Sequence, residues 1–198
     1  MEATSILLVH LTDLHIKSSS STAAKRLTAI AGSIGRVIEE PTEVVVLLSG
    51  DIAHGGLPEQ YGVTENALQQ LRSSLESWPI TNFHVVTCPG NHDLNFKAVP
   101  EGLRATLVTS SEIDGDNPSD ILAPLAPLQK SYFEFDSSVS GAALRRHNCI
   151  VSEKDIHVGS FCLRVVSINT SWASQLHEVP GTLRIPQKLL VEDRKSVV

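Results

Sequence analysis

The chain has few of the features that would tie a protein to a membrane, to nucleic acid or to an oxidising compartment. No apolar run approaches the ~20 residues that a membrane-spanning helix requires, and no basic region precedes a long apolar stretch near Met1. Only three cysteines occur, without a C-x-x-C pair, which favours free thiols in a reducing compartment. Sixteen basic residues face 22 acidic ones, and the net charge of −6 argues against broad nucleic-acid binding. We therefore expect a cytoplasmic protein without membrane attachment.

The first half of the chain alternates between strand-like and helix-like hydrophobic patterns. Apolar runs predict buried strands at residues 6–11, 43–48 and 83–87, and helical spacing predicts helices at residues 23–39 and 67–78. This β-α-β-α-β order implies parallel strands joined by right-handed crossovers. A dinucleotide-binding fold is excluded, because no G-x-G-x-x-G follows the first strand.

The second half follows a different pattern. We predict a variable insertion with short helices at about residues 94–130, beside the entrance of a site, because glycine and proline punctuate this stretch. Its Asp114, Asp116 and Asp120 suggest calcium, but they lack the spacing and closing Glu of an EF-hand loop, so a solvated loop is the favoured interpretation. Further on, short strands are predicted at 132–135, 149–151, 155–158 and 161–169, the last two joined by a Gly159-Ser160 hairpin turn.

Residues with metal-ligand chemistry follow each of the first three predicted strands. The three strings are Asp13-Leu14-His15, Gly50-Asp51 and Gly90-Asn91-His92-Asp93. Their spacing is even, with 38 residues from Asp13 to Asp51 and 40 from Asp51 to Asn91. Because ligands bind at the carboxyl ends of strands in open α/β sheets, these side chains should meet at one edge. Carboxylate, carboxamide and imidazole together suit manganese, iron or zinc.

Each string alone also has a plain structural interpretation. Asp13 and Asp51 could cap backbone amides, and Asn91 could be a turn residue, which Pro-Gly-Asn favours. Cys88, just before the third loop, is either a soft metal ligand or, more in keeping with its type, a small buried hydrophobe. Metal binding is nevertheless favoured, because all three strings occur together, each at the end of one of three successive predicted strands.

In order and spacing the three strings resemble the D-x-H, G-D and G-N-H-D motifs of the calcineurin-like metallophosphoesterase family, over about Ile6 to Asn95. The resemblance implies an α/β fold, a layered α/β/β/α sandwich of mixed sheets, in one domain over residues 1–198. It also implies a metal-dependent phosphohydrolase that cleaves a phosphomonoester or phosphodiester with a metal-activated water. The substrate would be a phosphate ester, with nucleotides among the candidates.

The resemblance assigns roles to the site residues as well. It implies two divalent ions, of manganese, iron or zinc, held by Asp13, His15, Asp51 and Asn91, with Asp51 bridging both. His92 would be a non-ligand that contacts the phosphoryl oxygen and protonates the leaving group. Asp93 would orient and charge that imidazole, since a neighbouring carboxylate favours the imidazolium form.

The loop after Asp51 carries a further candidate residue. Strings similar to Gly50-Asp51-Ile52-Ala53-His54-Gly55-Gly56 occur in the family where the loop faces substrate, so His54 is predicted to contact substrate or phosphate. The alternative is an ordinary surface-loop histidine. The stretch from Asp51 to Tyr61 is most similar to the bacterial-type cyclic-nucleotide phosphodiesterase branch.

The chain also departs from the family pattern. No histidine follows His177 and no G-H-x-H string occurs, so two later ligand motifs are missing. We therefore expect a fold that is incomplete at the C-terminus and a second metal site that is incomplete, unless His177 or a partner chain supplies a ligand. The alternative function is an inactive or truncated member that serves as a protein-binding scaffold, but the retained His92 argues against it.

Overall fold

The structure, a computed structural model, describes residues 3–110, 118–141, 143–175 and 185–191. Its first sheet contains three parallel strands, β1 (Ser5–Leu11), β2 (Thr42–Ser49) and β3 (Ile80–Cys88), in spatial order β1-β2-β3. The central strand is the most buried, as its β-branched run Val44–Val46 predicts. All three predicted strands are confirmed, and each is one to four residues longer than predicted.

Three helices lie between these strands in sequence. They are α1 (Thr22–Ala29), α2 (Ala31–Gly35) and α3 (Pro58–Ser74), and they pack with Val44, Val46 and Leu48 in one core. Ser21 caps α1 by accepting a hydrogen bond from the Ala24 amide at 3.3 Å. The prediction of one helix over 23–39 was wrong, because the segment forms two short helices. The first ends at Ala29 and the second at Gly35, where the Trp78 ring occupies the space of a β-carbon.

Helix α3 begins nine residues before its predicted start at residue 67. The residues that were missed are mostly polar, so the apolar spacing does not reveal them, although Pro58 is a typical first helical residue. This early turn matters for the site because it carries the buried Tyr61.

Three helices, α4 (Glu101–Thr109), α5 (Pro118–Leu122) and α6 (Lys130–Ser140), follow β3, and a 3₁₀ segment, Ala123–Gln129, joins the last two. The prediction of a strand at 132–135 was wrong, because these residues lie in α6. Tyr132, Phe135 and Asp136 are buried at helical i, i+3, i+4 spacing, a signal that the cluster of aromatic residues obscured. Asp114 and Asp116 lie outside the described residues.

The second sheet is antiparallel. Strands β4 (Leu144–Arg146), β5 (Val151–Val158) and β6 (Phe161–Ile168) pair in the order β4-β5-β6. The predicted hairpin at Gly159-Ser160 is confirmed, and Gly159 has the positive φ of 53° that its turn requires. A short turn at Ser171–Ala173 and the helix α7 (Gln187–Val191) complete the described elements.

The two sheets pack against each other, in keeping with the layered α/β/β/α sandwich of mixed sheets that the resemblance implies. Val45 and Val86 of the parallel sheet form one apolar cluster with Ile156 and Val158 of β5. The helices cover the opposite face of the parallel sheet. In the residues that the structure describes, no helix has the length and apolar character needed to cross a membrane.

Candidate active site

The loops after β1 and β2 have an unusual backbone conformation. Asp13, His15 and Asp51 have φ values of 55°, 45° and 51°, and Gly50 has a φ of 100°. Left-handed conformations at residues other than glycine cost about 1–3 kcal/mol each and persist where the surrounding structure holds them. Such conformations cluster at functional sites, so these three residues mark this edge of the sheet as a candidate site.

Backbone hydrogen bonds join the same two loops. The amide of Asp13 donates to the Gly50 carbonyl at 3.2 Å, the amide of His15 donates to the Asp51 carbonyl at 2.8 Å, and the amide of Ile16 donates to Ile52 at 3.0 Å. These bonds continue the β1–β2 pairing past the ends of both strands. The two motifs are therefore held in a fixed register by the sheet itself.

The side chains of Asp13, His15 and Asp51 converge. His15 Nε2 lies 3.9 Å from Asp13 Oδ1 and 3.6 Å from Asp51 Oδ2, and each residue offers a ligand atom within 4.8 Å of the others. Thr12 Oγ1 donates to Asp13 Oδ2 at 2.7 Å and so restrains that carboxylate. His15 Nδ1 is buried and has no hydrogen-bond partner within the described chain. Two carboxylates beside an imidazole fit a divalent metal ion.

The third loop packs directly on Asp51. A β-carbon at Gly90 would lie 2.1 Å from Asp51 Oδ1, so only glycine fits there. The amide of His92 donates to the same Asp51 oxygen at 3.0 Å. Asn91 begins the 3₁₀ turn Asn91–Asp93 between these two contacts. The structure thus brings the turn that contains Asn91 and His92 onto the group formed by Asp13, His15 and Asp51.

Asp93 is fully buried and lies below this surface. Its carboxylate accepts hydrogen bonds from the amides of Ile52 (3.1 Å), Ala53 (2.8 Å) and Gly90 (2.8 Å), and from the Tyr61 hydroxyl (2.9 Å). Burial raises the pKa of Asp93 above its ordinary value, although the amide donors act in the opposite direction. The bonds join the loop after β2 to the loop after β3, which makes Asp93 a positioning residue for Asp51.

The ring of His92 has a different partner from the one expected from the sequence. His92 Nδ1 hydrogen-bonds the backbone carbonyl of His54 at 3.1 Å, whereas the Asp93 carboxylate is occupied by backbone amides and Tyr61. Because a carbonyl oxygen only accepts, Nδ1 carries the hydrogen in this bond. The carbonyl of His54, and not Asp93, therefore orients the imidazole.

His54 contacts the other site histidines through its ring, as well as His92 through its carbonyl. Its ring centroid lies 5.5 Å from that of His92 in a stacked arrangement and 6.1 Å from that of His15. Burial lowers the pKa of His54, and the nearby Lys17, His92 and His15 lower it further. The structure places His54 beside the other site residues, and its contact with substrate stays a prediction.

Two further residues bear on the interpretation drawn from the sequence. Tyr61 bonds Asp93, and sequence reasoning missed it because the first turns of α3 were not predicted. The Cys88 thiol donates to the Ile168 carbonyl at 3.3 Å, and burial raises the pKa of Cys88 to about 11, which opposes the thiolate form that metals bind. Both observations favour the structural interpretation of Cys88. His177 lies outside the described residues.

A parallel sheet stacked on an antiparallel one, with carboxylates and imidazoles at the parallel strand ends, defines the class of the metal-dependent phosphoesterases. The family model described as calcineurin-like phosphoesterase matches residues 6–150. The chain belongs to the calcineurin-like phosphoesterase family, whose members are hydrolases that use divalent metals. Among curated protein sequences, no match to the chain is found.

Proposed function

We propose that the protein is a phosphohydrolase that cleaves a phosphomonoester or a phosphodiester at this site, with nucleotides and cyclic nucleotides among the candidate substrates. The observation that carries the proposal is the convergence of Asp13, His15 and Asp51 with the His92 ring beside them. The three cysteines are all free, which fits a cytoplasmic setting.

In this proposal Asp13, His15, Asp51 and Asn91 would hold two divalent ions, the second of them in a site that lacks the later histidine ligands of the family. Asp51 is suited to bridge them, since a carboxylate has two oxygens and its Oδ1 is already oriented by the His92 amide. A bound ion pair would supply a reactive water near neutral pH and offset the negative charge of the phosphate. The fixed register of the β1 and β2 loops keeps Asp13 and His15 aimed at that position before any ion arrives.

His92 is proposed to donate the proton that the leaving group needs. Its Nδ1 is bonded to the His54 carbonyl, so the imidazolium form would present its second hydrogen on Nε2. The ring centroid of His92 lies 4.5 Å from that of His15, which keeps the proton donor next to the proposed ligands. No nucleophilic serine or cysteine is required.

The test is the substitution His92→Ala, assayed with manganese on two phosphate esters. General acid catalysis contributes about 10²–10⁴-fold, so hydrolysis of an alkyl ester should fall by about that factor. Hydrolysis of p-nitrophenyl phosphate should fall much less, because its leaving group needs little protonation. Metal content, measured by plasma mass spectrometry after gel filtration, should be unchanged.

His157→Ala is the matched control, since this histidine is exposed on β5 and far along the sequence from the site loops. It should hydrolyse both esters like the wild type. Equal losses on both esters for His92→Ala would remove the general-acid role. No hydrolysis of any phosphate ester by metal-loaded wild type would favour the scaffold alternative instead.

A further inference from the structure

Three imidazoles from three different loops meet at the site, and the proposed hydrolysis uses only two of them. His15, His54 and His92 each offer a ring nitrogen within 4.8 Å of the others. The His15 and His92 rings are nearly perpendicular at 89°, and the His54 and His92 rings are nearly parallel at 22°. This group shares His15 with the carboxylate-rich group but contains no carboxylate of its own.

The nitrogens of this group are suited to bind a metal. The bond from His92 Nδ1 to the His54 carbonyl leaves the lone pair of Nε2 available in the neutral ring. Zinc–nitrogen bonds of about 2.0–2.1 Å in tetrahedral geometry separate the nitrogens by about 3.3 Å. The exposed side chain of His54 can close the remaining distance by rotating about its own bonds.

We propose that His15, His54 and His92 form an all-imidazole site for a zinc-class ion, distinct from the site on Asp13, His15 and Asp51. Imidazole ligands suit zinc, whereas carboxylate ligands suit manganese and magnesium, so the all-imidazole set should prefer zinc over manganese more strongly than the set with two carboxylates does. Occupancy of the imidazole site takes His92 away from proton donation and His15 away from the carboxylates. Zinc in excess therefore inhibits the enzyme, a consequence that rests on the proposed function, whereas zinc binding itself does not.

The test uses the whole protein and the substitution His54→Ala. This change removes the third imidazole but keeps the backbone carbonyl that orients His92, so zinc inhibition of the variant is measured relative to its own activity with manganese alone. Loss of a residue that only hydrogen-bonds a metal ligand already lowers metal affinity by roughly 10–100-fold, so loss of a ligand itself should weaken zinc binding by at least about tenfold in calorimetric titration. His157→Ala is again the control and should bind zinc like the wild type.

A second variant gives a direct spectroscopic readout. In His54→Cys loaded with cobalt(II), a coordinating thiolate produces a near-ultraviolet charge-transfer band that the wild type lacks. The band should be present if residue 54 is a ligand, and its absence together with unchanged zinc affinity in His54→Ala would overturn the inference.

The activity assay separates the two proposals. Zinc in excess over manganese should inhibit the wild type and the His157→Ala control, and His54→Ala should resist this inhibition. Weaker zinc binding by His54→Ala in a protein that hydrolyses no phosphate ester would keep the imidazole site and refute the proposed function. Active protein in which zinc inhibits His54→Ala and the wild type equally would refute inhibition through this site.

Discussion

At the scale of single residues, the Asp93 carboxylate shapes the site through hydrogen bonds to backbone amides and Tyr61, and not through the His92 ring. It accepts hydrogen bonds from the amides of the two residues just after Asp51 and from the amide of Gly90, so it holds the loop after β2 and the loop after β3 together. Asparagine cannot fully replace this buried carboxylate, because its amide side chain has only one acceptor oxygen where the carboxylate has two.

We therefore predict that Asp93→Asn lowers both the stability and the metal affinity of the protein. At least one buried amide loses its acceptor, at about 1–3 kcal/mol for each unsatisfied group, and the loop that carries Asp51 is displaced. Urea unfolding and metal titration measure the two effects. Tyr61→Phe, which removes only one of the donors, should show a smaller change in both.

The outcome distinguishes this role from the one expected from the sequence. If Asp93→Asn kept full stability and metal content but lost activity on poor leaving groups alone, Asp93 would act through the His92 ring. The sequence could place Asp13, His15 and Asp51 together because strand ends share an edge. It could not reveal the partners of Asp93, because these are backbone amides about 40 residues earlier in the chain.

At the scale of elements, the start of β2 contains a buried charge far along the strand from the site. Glu43 is 3% exposed and accepts hydrogen bonds from Thr81 (2.8 Å) and Asn82 (2.8 Å) on β3, and its second oxygen lies 2.6 Å from His84 Nε2. Burial alone would raise the pKa of Glu43, but the hydrogen bonds from Asn82, His84 and Thr81 outweigh it. The pKa of Glu43 therefore lies below its ordinary value.

This lowered pKa predicts a pH-dependent contribution to stability. The ionised carboxylate stabilises the fold fully above the unfolded pKa of about 4.3, and this contribution disappears as the pH falls through the lower folded pKa. Glu43→Gln should therefore lower the free energy of unfolding at pH 7, by about 1.5–3 kcal/mol for a hydrogen bond to a charged group. The difference from wild type should shrink in urea titrations between pH 5 and about pH 3.

Glu39→Gln, a change at an exposed position, is the control for net charge and should alter stability little at any pH. A constant difference between Glu43→Gln and wild type across the range would mean that packing, and not ionisation, accounts for the effect.

The elements also show where sequence patterns succeed and fail. The three parallel strands and the hairpin were predictable because their hydrophobic runs are bounded by clear turn residues. Helix α6 was not, because four residues rich in aromatics fit a strand equally well, and only the burial of Asp136 one helical turn from Tyr132 decides between them.

For the whole molecule, one amine connects three parts of the fold. Lys154 on β5 is 4% exposed, and its Nζ donates to the Val85 carbonyl on β3 at 3.1 Å and to the Ser140 carbonyl at the end of α6 at 2.6 Å. Burial lowers the pKa of Lys154, although the attraction of Asp136 opposes this shift. No hydrophobic pattern predicts this contact, since a lysine in a strand is normally exposed.

We predict that Lys154→Met destabilises the protein although it adds apolar surface to an apolar interface. The two carbonyls lose their donor, at about 1–3 kcal/mol for each buried group left unsatisfied. Lys130→Met, at an exposed position paired with Glu134, should change stability by no more than about 0.5 kcal/mol. Thermal and urea unfolding test both variants, and equal stability of Lys154→Met and wild type would show that the amine is dispensable.

The hydrogen bonds that extend the β1–β2 pairing into the ligand loops have a thermodynamic consequence. Residues 13–16 are ordered by the same ladder that forms the sheet, so their conformational entropy is lost during folding and not when an ion arrives. An ion that binds here therefore loses little of its interaction free energy to the ordering of these residues. Because the ion binds the folded state, it also raises the free energy of unfolding. This stabilisation grows with the logarithm of the metal concentration once that concentration exceeds the dissociation constant.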